Sequence, residues 1–298
     1  MFSLLMVCMG VVSYLAILSI HSLFGVEKPE DVISGVFTGP NDRLAFFFVQ
    51  AASSLGGFGL TAILFAALES GNPIGHLGLR TKASFQFFAI AFVAIIAAQF
   101  FIEFLVDINS LIPIPAGLAS LDERQKEVEK LTATLLNFTD VGNLLLAAFV
   151  MAVVPALVEE LFFRGLLLGD LLKQGVHPAI SIAISGLFFA VFHFEFNNTL
   201  AITVLGCFLG YLYYTTGSLW VPIAAHFTNN FFAVLLKYLF NIGVIGADLA
   251  EASTPLYLTV ASLAVFSGCV YLFYRWRKTN AFVITPYYND IQSQSEQE

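Results

Sequence analysis

Residues 144–172 read LLLAAFVMAVVPALVEELFFRGLLLGDLL. The run Leu144–Val158 is uncharged, then come Glu159, Glu160 and Arg164, and apolar sequence resumes at Gly165–Leu168. A helix that crosses the hydrocarbon core needs about 20 mostly apolar residues. This stretch supplies them while carrying three ionisable groups inside it. Such groups are costly at membrane depth and by default mark function. Glu160 and Arg164 are four apart and can pair on one helix face. Glu159 points roughly 100° away from Glu160, so one carboxylate has no partner on its own helix.

Outward from this helix, the rest of the chain has the same character. Residues 1–26, 44–68, 83–102, 174–194 and 252–274 form further runs without Asp, Glu, Lys or Arg. The first lacks a basic leader region and reads as an uncleaved span. Residues 196–236 are uncharged throughout and too long for one crossing, and Thr215-Thr216-Gly217-Ser218 divides them into two. The expectation is an all-α polytopic membrane protein of about eight helices, one transmembrane domain over 1–278. The polar stretch 279–298 is expected to be a disordered tail. The segment 122–130 is charged and reads as a solvated helix at the membrane surface.

Composition agrees. Hydrophobic residues make up 58% of the chain and charged residues 11%, against 45–50% and about 25% in soluble domains. Mean hydropathy is +0.83. A soluble globule, a disordered chain and a nucleic-acid binder are excluded. The net charge of −8 comes mainly from acids in hydrophilic stretches. The three cysteines lie in apolar runs with no Cys-x-x-Cys pair, so they read as small buried hydrophobes. Arg80, Lys82, Arg164, Lys173, Arg275, Arg277 and Lys278 would share one side of an eight-span topology, taken as cytoplasmic by the positive-inside rule. A bacterial cytoplasmic membrane is the expected location.

Two more polar groups lie in apolar helices. His193 closes Phe189-Ala-Val-Phe-His193, and His226 precedes Asn230 by one turn, so imidazole and carboxamide share a face. A carboxylate and an imidazole that converge can hold and deprotonate a water. A second imidazole and a carboxamide can donate to an oxyanion. That is an inventory for amide hydrolysis without a serine or cysteine nucleophile. No cofactor is expected. Zinc is the competing account, with Glu159, His193 and His226 as ligands, although His-Glu-x-x-His is absent.

At these residues the chain resembles a known family. Glu159-Glu160-x-x-x-Arg164, Phe189-x-x-x-His193 and His226-x-x-x-Asn230 look like the three motifs, in order, of the CPBP intramembrane proteases. These comprise CAAX prenyl endopeptidases of type II and bacteriocin-processing relatives, and the likeness covers about residues 140–245. The resemblance implies an eight-helix bundle with a conical intramembrane cavity. It implies Glu159 as general base with His193 as its partner on the water. His226 and Asn230 would form the oxyanion hole, and Glu160 and Arg164 would support them. The implied substrate is a membrane-bound peptide, prenylated or otherwise lipidated, met within the membrane lipids. Two other readings stay open: a non-catalytic scaffold or immunity protein, and a proton-coupled transporter relaying through Glu103, Glu159 and His193.

Overall fold

Pro178 and Phe194 show how local chemistry sets the helix lengths. Pro178 occupies the first helical position, where its missing N–H costs nothing, and the His177 side chain accepts from the Ala179 N–H. Phe194 adopts left-handed φ of 54° and ends the helix at His193. In the same way Gly217, at φ 66°, closes the helix before it with its N–H on the Tyr213 carbonyl. Asp140 starts another helix by accepting from the Asn143 N–H.

The computed structural model describes residues 1–112, 119–246 and 254–280. Among these, every regular element is a helix. The longer ones are α1 (Phe2–Phe24), α2 (Asp42–Glu69), α3 (Phe85–Ser110), α4 (Ala119–Leu135), α5 (Val141–Lys173), α6 (Pro178–His193), α7 (Thr199–Thr216), α8 (Trp220–Asn241) and α9 (Leu256–Asn280). Six are long and apolar enough to cross a membrane: α1, α2, α3, α5, α7 with the turn before it, and α9. The protein is an all-α, multi-pass membrane protein.

The other two expected spans are present as helices of a different kind. α6 has 16 residues, which rise about 24 Å, less than the ~30 Å of a bilayer's hydrocarbon core. α8 has 22 residues, but His226, Asn229, Asn230, Lys237 and Asn241 dilute its apolar surface. Only residues 279 and 280 of the expected tail are described, and they finish α9; the remainder lies outside the described residues.

The chain divides into two compact units. The first comprises residues 1–73, 114–162 and 226–253, the second 74–113, 163–225 and 254–298. The division falls inside α5, after Phe162, and inside α8, before His226.

In the first unit α1 lies against the glycine-rich middle of α2. A Cβ on Gly56 would fall 2.5 Å from the Val12 side chain, and one on Gly57 2.7 Å from Met9, so the approach requires glycine. Ala16, Ile20, Val26, Val32, Ala45 and Val49 make one buried cluster there. Phe47, Leu135, Phe138, Ala147, Val150 and Val234 make a second. Asn241 caps the segment after α4, donating to the Leu136 and Phe138 carbonyls at 2.6 and 3.0 Å.

In the second unit α6 and α7 cross on Gly186 and Gly206. A Cβ on Gly206 would lie 3.0 Å from the Gly186 Cα. α3, α7, α8 and α9 share a core that includes Phe87, Ile95, Leu209, Leu212, Val221 and Phe273. Ser262 of α9 accepts the Phe101 N–H of α3 at 3.0 Å and donates to the Ala97 carbonyl.

Candidate active site

α5 is not a regular α-helix where the charged residues sit. It widens into π turns at Phe149–Val153 and again at Leu161–Leu168, immediately after Glu160. Such turns are rare and concentrate at functional sites.

In the first unit the structure brings both carboxylates to one imidazole. His226 Nδ1 donates to Glu160 Oε1 at 2.9 Å. Its other nitrogen, Nε2, stands 4.0 Å from Glu159 Oε2. Glu160 is fully buried and His226 is 3% exposed, whereas the Glu159 side chain keeps 14% of its surface. A carboxylate can only accept, so Glu160 holds the ring with its Nδ1–H inward and Nε2 turned toward Glu159. Two atoms 4.0 Å apart can each reach a shared oxygen about 2.8 Å away, the ordinary hydrogen-bond distance. Asn230 lies one turn along α8, with its carboxamide oxygen accepting from Asn229 at 3.2 Å.

In the second unit Arg164 and His193 share one aromatic ring. The Arg164 guanidinium is fully buried. It donates from Nη2 to the Gly206 carbonyl at 2.9 Å and lies 4.5 Å over the Phe189 ring, a cation–π arrangement. Phe189 also packs on the His193 imidazole, centroid to centroid at 4.5 Å. The Phe189 carbonyl accepts from His193 Nδ1 at 2.7 Å. That bond takes the proton of Nδ1, so that in a neutral ring the lone pair lies on Nε2, the form a general base or a metal ligand needs. Ser185 donates to the Phe163 carbonyl at 3.0 Å within the π-turn region.

Of the residues singled out in the sequence, Glu159, Glu160 and His226 therefore meet in the first unit, with Asn230 one turn along α8 from His226. Arg164 and His193 are set side by side on Phe189 in the second. Spacing along α5 suggested Arg164 as the partner of Glu160. The structure shows the His226 bond to Glu160 and the Gly206 bond to Arg164, contacts between distant stretches of chain that spacing could not reveal.

A further polar cluster in the second unit escaped the sequence reading. His76 Nε2 is 3.1 Å from Asp170 Oδ1 and 2.9 Å from Lys173 Nζ, and Lys173 also bonds Asp170 at 2.9 Å. Burial pushes the His76 imidazole below its ordinary value, the Lys173 ammonium adds to the effect, and Asp170 opposes it. Nothing in the sequence links Asp170 and Lys173 to His76, 94 and 97 residues away.

Glu159 and His226 offer ligand atoms of the right kind for zinc. Glu160 behind His226 is the carboxylate–histidine pair that orients such ligands. At His76 and Asp170 the Lys173 ammonium already lies within bonding distance of both side chains.

Residues 141–232 match the family described as Type II CAAX prenyl endopeptidase Rce1-like. Over that stretch the chain is similar to this family. All six residues named above fall within the matched span, which bears out the resemblance carried by the three motifs. A Bacillus subtilis (strain 168) relative bearing the name "Putative membrane peptidase YdiL" is 28% identical over 118 residues, 40% of this chain and 46% of the relative. "Uncharacterized protein YyaK" of the same organism is 30% identical over 150 residues, 46% of this chain and 50% of the relative. The chain thus spans about half the length of the curated relatives it matches. No solved structure matches it.

Proposed function

We propose that this protein is an intramembrane endopeptidase that hydrolyses a peptide bond of a membrane-anchored or lipidated protein or peptide. The observation that carries the reading is the buried His226, held by Glu160 at 2.9 Å through Nδ1 with Nε2 4.0 Å from Glu159. The Rce1-like core and a relative named as a membrane peptidase point the same way.

In this reading Glu159, assisted by His193 through Nε2, takes a proton from water as the water oxygen attacks the peptide carbonyl carbon. In its doubly protonated form His226 donates from Nδ1 to Glu160 and from Nε2 to the oxyanion, and the Asn230 carboxamide donates beside it. Collapse of the intermediate breaks the C–N bond, and the proton held by Glu159 passes to the leaving amine. Arg164 fixes α5 against α7 through the Gly206 carbonyl. A second reading is favoured by the Glu160–His226 pair. Glu159, His193 and His226 would hold zinc, which when bound supplies Lewis-acid polarisation of the carbonyl and activates water.

The test is proteolysis by the purified protein in nanodiscs on membrane-anchored peptides, with and without a prenylated C-terminal cysteine. Cleavage by wild type and none by folded Glu159→Ala or His193→Ala is the expected result. Removal of either water-activating group should lower the rate by about 10²–10⁴. Loss of activity with a chelator, restored by zinc, would replace the metal-free mechanism with the second reading. A Glu159→Ala protein that still cleaves, or that keeps every cellular phenotype of wild type, would sink the protease reading in favour of a scaffold.

A further inference from the structure

His193 is the last residue of α6, and the chain reverses within the next six residues to start α7. Phe194 is the one non-glycine with positive φ among the described residues, at 54°. An L-residue in this region brings its Cβ against the following carbonyl, which is why such caps usually carry glycine. Strained positions of this sort persist only where their surroundings over-determine them.

The surroundings here are specific. Asn109, in the last turn of α3, is 3% exposed. Its carboxamide grips the reversal at both ends: Nδ2 donates to the Phe196 carbonyl at 2.8 Å, and Oδ1 accepts the Leu200 N–H at 2.9 Å. The Leu200 N–H is among the first-turn donors of α7 that have no partner within their own helix. Between these two points Asn198 donates to the Glu195 carboxylate at 2.6 Å, and the Thr199 hydroxyl donates to the Glu195 carbonyl at 2.9 Å. All of these residues belong to the second unit.

We propose that Asn109 is a positioning residue for His193. It clamps the 196–200 backbone, holds Phe194 in the left-handed region, and so fixes where α6 ends and where the imidazole stands. The proposal deepens the protease reading and rests on it for the role of His193. Displacement of a reacting group by about 1 Å can cost a hundredfold in rate, so a clamp three residues from the base has kinetic weight.

The experiment compares wild type, Asn109→Ala, Phe194→Gly and the double variant in nanodiscs, by peptide cleavage and by NMR of ¹⁵N-labelled histidine rings. His193 is assigned by its loss in His193→Gln. Asn109→Ala should lower kcat about tenfold or more with KM within about twofold, and should move the His193 ring signals while the other histidines stay. Glycine adopts the left-handed conformation without the steric cost. Adding Phe194→Gly should therefore restore the His193 signals and much of kcat, and Phe194→Gly alone should melt no lower than wild type. If Asn109→Ala does not fold, Asn109→Asp replaces it: it retains the acceptor for Leu200 and sets an oxygen against the Phe196 carbonyl. Unmoved His193 signals, equal movement of all histidine signals, or no rescue by glycine would each overturn the proposal. If wild type cleaves nothing, the protease reading fails separately and the ring signals alone decide the role of Asn109.

Discussion

Glu160→Ala is the perturbation that separates a buried bond from a buried charge. Glu160 has no exposed surface and His226 has 3%, so water cannot replace what the substitution removes. The change takes away the acceptor of the 2.9 Å bond to His226 Nδ1 and leaves a buried donor facing a void. Breaking a buried pair by deleting one member costs about 3–5 kcal/mol, a large fraction of the 5–15 kcal/mol that typical folds possess. Glu160→Gln has nearly the same shape and retains an acceptor oxygen for Nδ1. Its cost should be that of exchanging a charge-assisted bond for a neutral one, about 1 kcal/mol. Thermal unfolding in a mild detergent, followed by tryptophan fluorescence, reads both. The alanine variant should melt on the order of 10 °C below wild type and the glutamine variant within a few degrees of it. An alanine variant as stable as wild type would refute the claim that the pair holds α5 to α8 within the first unit. A glutamine variant as damaged as alanine would show that the charge, and not the bond, is what the fold requires.

Other tests follow from the second unit. A Cβ on Gly186 would lie 2.6 Å from Cys207 Sγ and 2.8 Å from the Cys207 backbone nitrogen. Gly186→Ala should therefore push α6 off α7 and destabilise by about 1–3 kcal/mol, whereas Gly10→Ala, which meets nothing within 4 Å, should leave the melting temperature unchanged. The lowered value of His76 means that the unfolded chain binds its proton more readily than the folded one. Stability should then fall as pH drops through the ordinary histidine value of 6.5 toward the lower folded value. His76→Gln should flatten the melting temperature across that window, and a His76→Gln protein with the wild-type pH slope would exclude His76 as its source.

Much of the candidate site was legible before any coordinates. Charges in an apolar helix stand out because a bilayer makes them expensive, so Glu159, Glu160, Arg164, His193, His226 and Asn230 could be named from the chain alone. Turn chemistry was legible too, in Thr215-Thr216-Gly217-Ser218, where Gly217 ends α7. What escaped were residues whose polarity has a second explanation. Asn109 stands at the end of α3, where any span becomes polar, and nothing in Asp107-Ile108-Asn109-Ser110 indicates that its carboxamide reaches a turn some 90 residues later.

Composition and residue pattern alone are enough to read a multi-pass helical membrane protein with an ionisable cluster that resembles the CPBP motifs, because hydrophobic length and the cost of buried charge are local properties of the chain. Tertiary structure alone decided the pairings: His226 on Glu160, Arg164 on the Gly206 carbonyl and the Phe189 ring, Asn109 on the turn after His193. Each depends on which helix faces meet, and that is set by the close glycine crossings and π turns, whose energies come from packing between segments far apart in the chain.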